Sequence, residues 1–592
     1  MELKTLAGRQ QRWRFFKPRT QTAAVSRQLA DQLQIHELVA RLLVRRGIQD
    51  AQTADRFLGP KLTDLHDPAL LGGIHTAVSR LMTAVAQGQK IVIYGDYDVD
   101  GITASSILWH VLRLAGGNVS TYTPHRVQEG YGLNSEAIAQ LSQDPQGRPL
   151  IVSVDCGITA HEPARRARQC GVDLIITDHH EFDQHDLPDA LAIVHPRVGP
   201  SAYPFGALCG AGVAFKVAWQ FAKVHCGSDR VARPFRDLLL DLLCLAALGT
   251  VADVVPLVDE NRIIAACGLN QIKRSRLGGL NALIDATGLR QQRIDSYHVG
   301  FVLGPRLNAC GRMGHARQAV ELLTSASASE AVRIAAFLAR QNQERRATER
   351  VMLQEARTMI VEAGYDRPDQ GAIVLGKPGW HRGVMGIVAS RLVERYCRPV
   401  VLLSFQDGRA QGSARSVPGL SIHEAMHGCH ELLDEFGGHA MAAGCSLQVE
   451  RVPALRQRLI RFINERLGPQ DRLPVLDIDA VCTLGDLGWT VVGQIQRLAP
   501  FGRANPAPVL CLRNVAIDGH PRRVGTEGSH LRLMLREGPC RSAAIGFGLG
   551  ELVDHLAPGD RVDVAIEPKM STWCGRQQID LHVKDLRPAA DR

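Results

Sequence analysis

The stretch IVIYGDYDVDG, residues 91–101, decides the fold of this 592-residue chain. An apolar run rich in Ile and Val ends at a glycine, and three alternating carboxylates follow: Asp96, Asp98 and Asp100. A short run of this composition between helical patterns is typical of a strand buried on both faces of a parallel sheet. The stretch therefore predicts an α/β fold with acidic groups at the end of one strand.

Two later apolar runs end in similar side chains. LIVSVDCG closes on Asp155, and LIITDHH closes on Asp178, His179 and His180. Because ligands of such sheets sit beyond the carboxyl ends of the strands, we expect these groups to converge. Clustered carboxylates are costly unless a cation lies among them. The sequence therefore predicts a metal site.

The first cluster also matches the opening of an EF-hand calcium loop, whose twelfth position is a bidentate Glu. That position here is Ile107, and a strand-like run replaces the helix that should precede the loop. A plainer alternative makes Asp100 the N-cap of a helix that begins near Ile102. It suffices for one aspartate, but three strand ends with metal-ligand side chains favour a metal site.

Composition agrees with a large protein that binds a polyanion. The length predicts roughly three to four domains. Hydrophobic residues make up 45% of the chain, which is ample for burial. The formal net charge of +9 suits nucleic acid, although Lys and Arg are dispersed.

Cysteine usage and hydropathy bear on location. The fourteen cysteines form no CxxC pair or zinc-like spacing, which indicates a reducing cytoplasm. The N-terminal residues lack the apolar core of a secretory signal. The most apolar stretch, residues 238–252, is interrupted by Asp241 and Gly249 and is too short to span a bilayer. We expect no membrane role.

Changes in periodicity divide the chain into five parts. Strand and helix patterns alternate first, as they do in α/β domains. A long helical pattern without Pro or internal Gly interrupts them, and short alternating strands with Gly turns come last. The parts are an N-terminal helical cap (1–89), an α/β domain (90–324), a connecting helix (325–364), a second α/β domain (365–472) and a small β-barrel (473–592). In the second α/β domain, residues 411–413 are predicted as a Gly- and Ser-rich turn.

Several motifs in order resemble the DHH phosphoesterase superfamily. They are YGDYDVDG (94–101), VDCG (154–157), TDHH (177–180) and GTVADVVPL (249–257). The fuller pattern resembles its bacterial single-strand-specific 5′→3′ exonucleases, through PHRVQEGYGLN (124–134), GPRLNACGRMGHA (304–316), GSARSVPG (412–419) and FGGHAMAAG (436–444). The resemblance implies a DHH domain with a parallel sheet, a DHHA1-type second domain and a C-terminal OB-like β-barrel. Arg382 and Ala414 depart from the usual pattern but replace no proposed ligand.

Phosphodiester hydrolysis by two divalent ions needs a bridging carboxylate between them. We assign the bridge to Asp155, with Asp98 beside one ion and Asp96 as a ligand or as a group that orients one. The remaining predicted ligands surround the other ion: Asp100, His179 and, by resemblance, Asp253. Mixed imidazole and carboxylate ligands favour Mn²⁺ over Mg²⁺.

Two neighbours of these ligands have other expected roles. Asp178 is expected to fix the loop or a histidine tautomer rather than bind metal. His180 either orients the leaving group or holds a ligand in place. The predicted catalytic set is Asp98, Asp100, Asp155, His179 and His180.

DNA contacts are predicted at arginines near Gly and Ser. Ser413 and Arg415 are expected to form an anion pocket with backbone N–H groups of the turn. By resemblance such residues recognise the 5′ end, and Tyr131 stacks on the entering strand or constrains it. The predicted DNA-binding set is Arg126, Tyr131, Arg306, Asn308, Arg312, Ser413, Arg415, Ser416 and His439. The alternatives are surface ion pairs for the arginines and a helix-start turn for GGHAMAAG.

The resemblance implies a single-stranded-DNA-specific exonuclease that degrades DNA 5′ to 3′ to mononucleotides in repair and recombination. Its partners would be single-stranded DNA with a 5′ end, a single-strand-binding protein and a helicase. An alternative is a DHH phosphodiesterase of oligonucleotides or cyclic dinucleotides, which would not need the barrel. A class II pyrophosphatase or a catalytically inactive scaffold that binds single strands is a further alternative.

Overall fold

A computed structural model describes residues 11–16, 20–125, 129–145, 147–199, 203–313, 316–468, 473–573 and 576–589. The chain forms two compact units, neither of them continuous in sequence. The parallel-sheet unit comprises residues 55–343 and 498–507. The second unit comprises residues 1–54, 344–497 and 508–592.

The described strands belong to four sheets. They are β1 (Arg12–Phe15), β2 (Lys90–Gly95), β3 (Asn118–Tyr122), β4 (Leu150–Val154), β5 (Leu174–Thr177), β6 (Ala192–Val194), β7 (Ile373–Pro378), β8 (Val400–Gln406), β9 (Arg409–Arg415), β10 (Glu435–His439), β11 (Ala442–Gln448), β12 (Val475–Ile478), β13 (Ala480–Cys482), β14 (Leu510–Ile517), β15 (Arg522–Val524), β16 (His530–Glu537), β17 (Cys540–Gly546), β18 (Arg561–Trp573) and β19 (Arg576–Pro588).

The described residues also form nineteen α-helices. They are α1 (Thr20–Leu33), α2 (Glu37–Arg45), α3 (Ala51–Leu58), α4 (Ile74–Ala86), α5 (Val99–Leu114), α6 (Ser135–Leu141), α7 (His161–Gln169), α8 (Gly210–Cys226), α9 (Arg233–Ala252), α10 (Asp259–Gln271), α11 (Gly278–Ala286), α12 (Ser296–His298), α13 (Gly304–Met313), α14 (Ala316–Leu323), α15 (Ala328–Glu362), α16 (Arg382–Tyr396), α17 (Ile422–His427), α18 (Val452–Asn464) and α19 (Trp489–Gln496).

The sheet of the parallel-sheet unit has the order β3-β2-β4-β5-β6, and every pair in it is parallel. Ile91 and Ile93 face a core that includes α5, α8 and α9, whereas Val92 and Tyr94 face α6 and α7. Burial on both faces explains why these strands read as continuous apolar runs. The order reverses direction between β2 and β4, so their carboxyl ends form a switch point where ligands bind.

Residues 498–507 complete this unit although they come late in the sequence. The buried guanidinium of Arg262 donates to the carbonyls of Leu498 and Ala499, at 2.8 Å and 2.9 Å, and lies 3.8 Å from the ring centre of Phe57. Leu257 N donates to the carbonyl of Arg503 at 2.8 Å. The segment is therefore held against the residues that follow Asp253.

In the second unit, a mixed sheet has the order β10-β11-β9-β8-β7, in which only β7 and β8 are parallel. The predicted turn at residues 411–413 is wrong, because these residues lie within β9 and pair on both sides. The turn is at Asp407 and Gly408, which both have positive φ. GGHAMAAG is a hairpin of β10 and β11, not a helix start.

Five C-terminal strands close on themselves. The pairings run β14-β18-β19-β17-β16 and return to β14, with β17 and β19 parallel. The N-terminal strand β1 pairs with β12 beside this ring, and Trp13 Nε1 donates to Asp585 Oδ2 at 2.8 Å. Residues 12–15 thus pair with a strand far along the chain, which the helical periodicity of the N-terminal region did not indicate.

The described part of the chain contains no single helix long and apolar enough to cross a membrane. One pair, Leu62–Leu70 with Ile74–Ala86, meets the length and composition test together but is bent by 82°.

Candidate metal centre

The acidic loop after β2 is fixed by helix capping. Asp98 is the N-cap of α5, and its Oδ1 accepts from Asp100 N at 2.9 Å and Gly101 N at 3.2 Å. The alternative in which Asp100 caps a helix from Ile102 is therefore wrong, because α5 begins at Val99. Capping satisfies two orphan amides and holds the Asp98 carboxylate at the strand end.

Asp100 is almost fully buried, with 1% of its surface exposed, and the N-terminus of α8 holds it. Gly210 N donates to Asp100 Oδ2 at 2.6 Å, and Ala211 N donates to Oδ1 at 2.8 Å. A helix N-terminus favours an anion, so this contact lowers the cost of burying the carboxylate. A Cβ at Gly249 would lie 2.5 Å from Asp100 Oδ1, so only glycine fits there.

Asp155 follows β4 with a φ of +61°, in the left-handed region that non-glycine residues rarely adopt. Its amide donates to the carbonyl of Thr177 at 3.0 Å, so the ladder continues into the strained residue. A Cβ at Gly210 would lie 2.5 Å from Asp155 Oδ1. Strain of this kind persists where the surroundings fix it, which is common at functional sites.

His179 lies at the centre of the predicted ligands. Its Nε2 is 3.1 Å from Asp155 Oδ1, 3.7 Å from Asp100 Oδ2 and 3.7 Å from Asp253 Oδ2. Asp253 follows α9, and the next residue, Val254, has a φ of +57°. Three strand ends and one helix end therefore bring these four side chains together.

Ligand atoms form three overlapping groups within 4.8 Å. The groups are Asp96 with Asp98 and Asp155; Asp100 with His179 and Asp253; and Asp155 with Asp178, His179 and His180. Among the described residues, neither Asp155 Oδ1 nor His179 Nε2 has a hydrogen-bond partner, although both are buried. Buried polar atoms are otherwise nearly always paired. Carboxylate and imidazole atoms left in this way fit a divalent cation such as Mn²⁺.

The cluster is electrostatically unfavourable without a cation. Burial, followed by the charges of Asp100 and Asp98, raises the pKa of Asp155 well above its usual range. The same causes raise the pKa of Asp253 to about 8, although His180 and Arg503 oppose the shift. Burial and Asp100 also raise the pKa of Asp98. A divalent ion would relieve this repulsion.

The two adjacent histidines have opposite shifts. Burial is the main cause that lowers the pKa of His179, so its imidazole is neutral and able to bind metal. Burial also acts against protonation of His180, but the hydrogen bond and charge of Asp178 outweigh it and raise the pKa of His180 to about 9. The different environments of His179 and His180 therefore suit these two histidines to different roles.

Asp178 has the loop-fixing contacts expected of it. Its Oδ1 accepts from His179 N at 2.7 Å and lies 2.7 Å from His180 Nδ1, and its Oδ2 accepts from Ile158 N at 2.9 Å. Burial alone would raise the pKa of Asp178, yet these hydrogen bonds and the charge of His180 lower it to about 2. Arg197 supports the same loop, because its Nη2 donates to the carbonyl of His179 at 3.1 Å.

Tyr131 lies next to the cluster, and 55% of its surface is exposed. Its hydroxyl lies 3.1 Å from His180 Nε2, and its ring meets the rings of Tyr97 and His180 edge to face. It is therefore within reach of a strand that approaches the metal ligands.

The other predicted DNA contacts are divided between the two compact units. Asn308 Oδ1 accepts from Val99 N at 3.0 Å, so Asn308 braces the acidic loop. Arg306 Nη1 donates to the carbonyl of Val302 within its own helical region. Arg126 and the side chain of Arg312 lie outside the described residues.

On the mixed sheet, Ser413 and Arg415 share one half-exposed face of β9. Ser416 is buried, and its hydroxyl donates to the carbonyl of Leu420 at 2.8 Å. His439 is exposed at the end of β10. The expected backbone donors of a turn at residues 411–413 are wrong, because these residues lie in β9 between the ladders of β8 and β11. An anion there would meet side chains only.

Sequence reasoning missed two contributors. One is the N-terminus of α8, for which the glycines of CGAG at residues 209–212 are the sequence signal. The other is Arg503, an exposed cation whose charge acts on Asp253. No local pattern links Arg503 to the acidic loops, since only tertiary packing of residues 498–507 brings it there.

Comparisons with known proteins agree with this architecture. Three family models match: the DHH family N-terminal domain at residues 90–247, the DHHA1 domain at residues 369–465 and the RecJ OB domain at residues 478–585. The predicted fold class, with an α/β DHH domain, a DHHA1-type domain and a C-terminal OB domain, is confirmed.

Among curated proteins, the chain is 40% identical to the single-stranded-DNA-specific exonuclease RecJ of Bacillus subtilis, over 94% of this chain and 69% of that protein. It is 34% identical to the protein of the same name from Escherichia coli, over 90% of each. These relatives carry the name that the motif resemblance implies.

Two solved structures are also similar. RecJ from Thermus thermophilus in complex with Mn²⁺ has a TM-score of 0.81 and 31% identity, covering 98% of this chain and 80% of that chain. The Mg²⁺ complex has a TM-score of 0.76 and 30% identity, covering 98% and 79%. Mn²⁺ or Mg²⁺ as cofactor is thus confirmed at the level of the family, while the preference for Mn²⁺ stays a prediction. From its matched domains and its similarity to these proteins, this chain belongs to the RecJ family of DHH phosphoesterases.

Proposed function

We propose that this chain is a metal-dependent exonuclease that degrades single-stranded DNA from the 5′ end to mononucleotides. The observation that carries the proposal is the pair Asp155 Oδ1 and His179 Nε2, buried, 3.1 Å apart and without hydrogen bonds among the described residues. Ligand atoms left in this way belong to a cation site rather than to a structural ion pair. The relatives are named as single-stranded-DNA-specific exonucleases, which supports this substrate class.

Two cations would share the cluster. Asp96, Asp98 and Asp155 would hold one, and Asp100, His179 and Asp253 the other, with Asp155 between them. When bound, two such ions supply a hydroxide at neutral pH and neutralise charge on the phosphate. The residues of the chain fix the ligands: Asp98 by capping α5, and Asp100 through the N-terminus of α8.

We assign His180 to the leaving group. With its pKa raised to about 9, chiefly by the hydrogen bond and charge of Asp178 against the effect of burial, its imidazole carries a proton at neutral pH. It can give that proton to the departing 3′ oxygen of the strand. Asp178 orients the ring through Nδ1 and leaves Nε2 toward Tyr131.

Polarity requires a group that recognises the 5′ end, because the metal cluster is indifferent to strand direction. Arg415 is our candidate, with Ser413 beside it on the same face of β9. A guanidinium binds a terminal phosphate with paired hydrogen bonds. Arg126, Arg306, Arg312 and His439 remain proposed contacts along the strand.

Partners and location are also proposals. A single-strand-binding protein and a helicase would supply strands, and this expectation rests on the family resemblance alone. Thirteen cysteines are described without a disulfide bond, and most of them are buried, which supports the cytoplasm.

Digestion of end-labelled DNA with Mn²⁺ tests the proposed function. A 5′-labelled single strand should release labelled mononucleotide at once, whereas a 3′ label should stay on shortening strands. Blunt duplex should resist. Rapid cleavage restricted to two- or three-residue oligonucleotides would instead favour an oligonucleotide phosphodiesterase.

A further inference from the structure

Two exposed aromatic rings lie on one turn of the parallel-sheet unit. Phe301 is 70% exposed, more than any other large hydrophobic side chain that the structure describes, and Tyr297 is 62% exposed. Their ring centres are 4.9 Å apart and their planes differ by 30°. We call Tyr297 and Phe301 the aromatic platform. It leaves the outer face of a stacked pair in water, where an apolar surface needs an explanation.

The turn that carries the platform is rigidly held. Asp295 forms a capping box with His298, and Ser296 Oγ donates to the carbonyl of Phe501 at 2.6 Å. A π-helical segment, Val299–Leu303, follows, and both of its end residues are fully buried. π-Helical turns are frequent at functional sites. The rings project outward because the opposite side of the same turn is anchored in the core.

The platform is close to the metal ligands. A Cβ at Gly304 would lie 3.7 Å from Ala252 Cβ and 3.8 Å from Val99 Cγ2. Ala252 precedes Asp253, and Val99 lies between Asp98 and Asp100. Phe301 comes three residues before Gly304, which is about one helical turn. A strand with a phosphate at the cluster would therefore have nucleotides within reach of the rings.

We propose that Tyr297 and Phe301 stack against nucleobases of the single strand next to the metal centre. This inference rests on the proposed function and adds a base-contact site to it. Every base has a flat face, so such stacking holds a strand without reading its sequence. A single strand exposes those faces and a duplex hides them, so the platform would also favour single strands.

Nucleic acid, rather than a protein, suits this surface because of its charge. Residues 498–507, which contact this turn through the carbonyl of Phe501, also carry the exposed Arg503, whose own carbonyl accepts from Leu257 N at 2.8 Å. A ring pair with a guanidinium on the adjoining segment suits the alternation of bases and phosphates in one strand. An apolar protein helix would leave that cation without a partner.

The test measures binding with two strands of equal length. One carries normal bases, the other carries abasic sugars, and both have nuclease-resistant phosphorothioate linkages in the presence of Mn²⁺. The Tyr297→Ala, Phe301→Ala double variant should bind the normal strand about tenfold more weakly than the parent protein. It should bind the abasic strand as the parent does. The ring-retaining double variant Tyr297→Phe, Phe301→Tyr should bind like the parent.

Leu191→Ala is the matched control. Leu191 is 44% exposed in the same unit, but it lies at the amino end of β6, the opposite edge from the metal ligands. Its removal should change neither strand's affinity. Should the double alanine variant lose stability, Phe301→Ala alone should still show about a threefold loss on the normal strand, because this side chain is mostly solvated.

If the double alanine variant lost affinity equally for both strands, or for neither, the proposed base stacking would be wrong. The binding measurement is independent of catalysis. A parent protein that fails to cleave any strand, yet binds the normal strand through the two rings, would sink the proposed nuclease and leave the platform in place. If the parent cleaved single strands but the double alanine variant lost no base-dependent affinity, the nuclease would stand and the base stacking would be wrong.

Discussion

The two α/β sheets of this protein present their polar groups in different places. In the sheet β3-β2-β4-β5-β6, Asp96 and Asp155 come directly after strand ends, and His179 is the second residue after β5. In the sheet β10-β11-β9-β8-β7, Ser413 and Arg415 lie within strand β9, on a face with partial exposure. The first sheet gathers buried charges at one edge, whereas the second displays side chains in a row along a paired strand.

The difference follows from strand direction. All carboxyl ends of a parallel sheet meet at one edge, where helix N-termini also point, so charges concentrate there. An antiparallel strand offers no such edge, and its backbone amides are already paired. Chemistry that needs several carboxylates suits the first arrangement, and a repeated backbone such as DNA suits the second.

The largest effect is expected at the strand end of the parallel sheet. Asp155→Ala should lower the rate of Mn²⁺-dependent hydrolysis by at least about a thousandfold, or about 4 kcal/mol, because both proposed ion sites lose a shared ligand. Single-strand binding should remain, since other groups contact the phosphates. Asp285→Ala, which removes an exposed carboxylate of the same unit, is the control. Activity of Asp155→Ala within about tenfold of the parent would contradict the bridging role.

A smaller effect is expected on the mixed sheet. Arg415→Ala should raise KM about tenfold for a 5′-phosphorylated strand, and much less for a 5′-hydroxyl strand, because a guanidinium loses its phosphate. Arg409, an exposed residue at the other end of β9 on the same face, provides the matched control. If Arg409→Ala gave the same ratio, the face would act as a general basic track and not as an end-recognition site.

Arg503 tests whether the edge of the parallel sheet also contacts DNA backbone. Arg503→Ala should weaken binding of all strands about threefold and reduce the slope of log affinity against log salt by about 1. Arg290→Ala, which removes an exposed arginine paired with Asp285 in the same unit, should leave the slope unchanged. A normal slope in Arg503→Ala would restrict that residue to an electrostatic effect on Asp253.

The smallest effect concerns stability without metal. Burial and neighbouring carboxylates raise the pKa of Asp253 to about 8, against about 3.9 in an unfolded chain. The folded state therefore binds an extra proton between these values, and stability from this group is lost as pH rises through 8. Asp253→Asn should raise the Tm of the metal-free protein by about 2 °C at pH 9 and by less at pH 5, because folded Asp253 keeps its proton at pH 5.

The control for that measurement is Mn²⁺. Added metal should stabilise the parent protein more at pH 9 than at pH 5, because protons compete for the ligands. Asp253→Asn should lose most of this gain. An equal Tm gain from the substitution at both pH values would show that charge repulsion is not its cause.

The sequence was most informative where local pattern and topology coincide. Apolar runs predicted β2, β4 and β5, and parallel pairing then predicted that Asp98, Asp155 and His179 would converge. The alternative that named an N-cap chose Asp100, two residues after the actual cap Asp98, because DVDG does not mark the first turn of α5. The local spacing allows either Asp98 or Asp100 to be the N-cap, and only the backbone conformation shows which residue it is.

The remaining errors have two physical causes. The Gly and Ser at residues 411–413 were interpreted as a turn, although Asp407–Gly408 is the stronger hairpin signal. Contacts between distant parts of the chain, such as β1 with β12 or Arg262 with Leu498, leave no local periodicity. Such contacts depend on tertiary packing, which single-sequence patterns do not contain.

The late segment of residues 498–507 has a consequence for synthesis on the ribosome. The carbonyls that receive the guanidinium of Arg262 are translated only after the whole mixed sheet. At about 5–20 residues per second, the nascent parallel-sheet unit waits on the order of ten seconds for them. During that interval Arg262 lacks two acceptors and Asp253 lacks the charge of Arg503. A ribosome-bound nascent chain that stops before this segment should therefore carry the acidic cluster without an assembled nuclease.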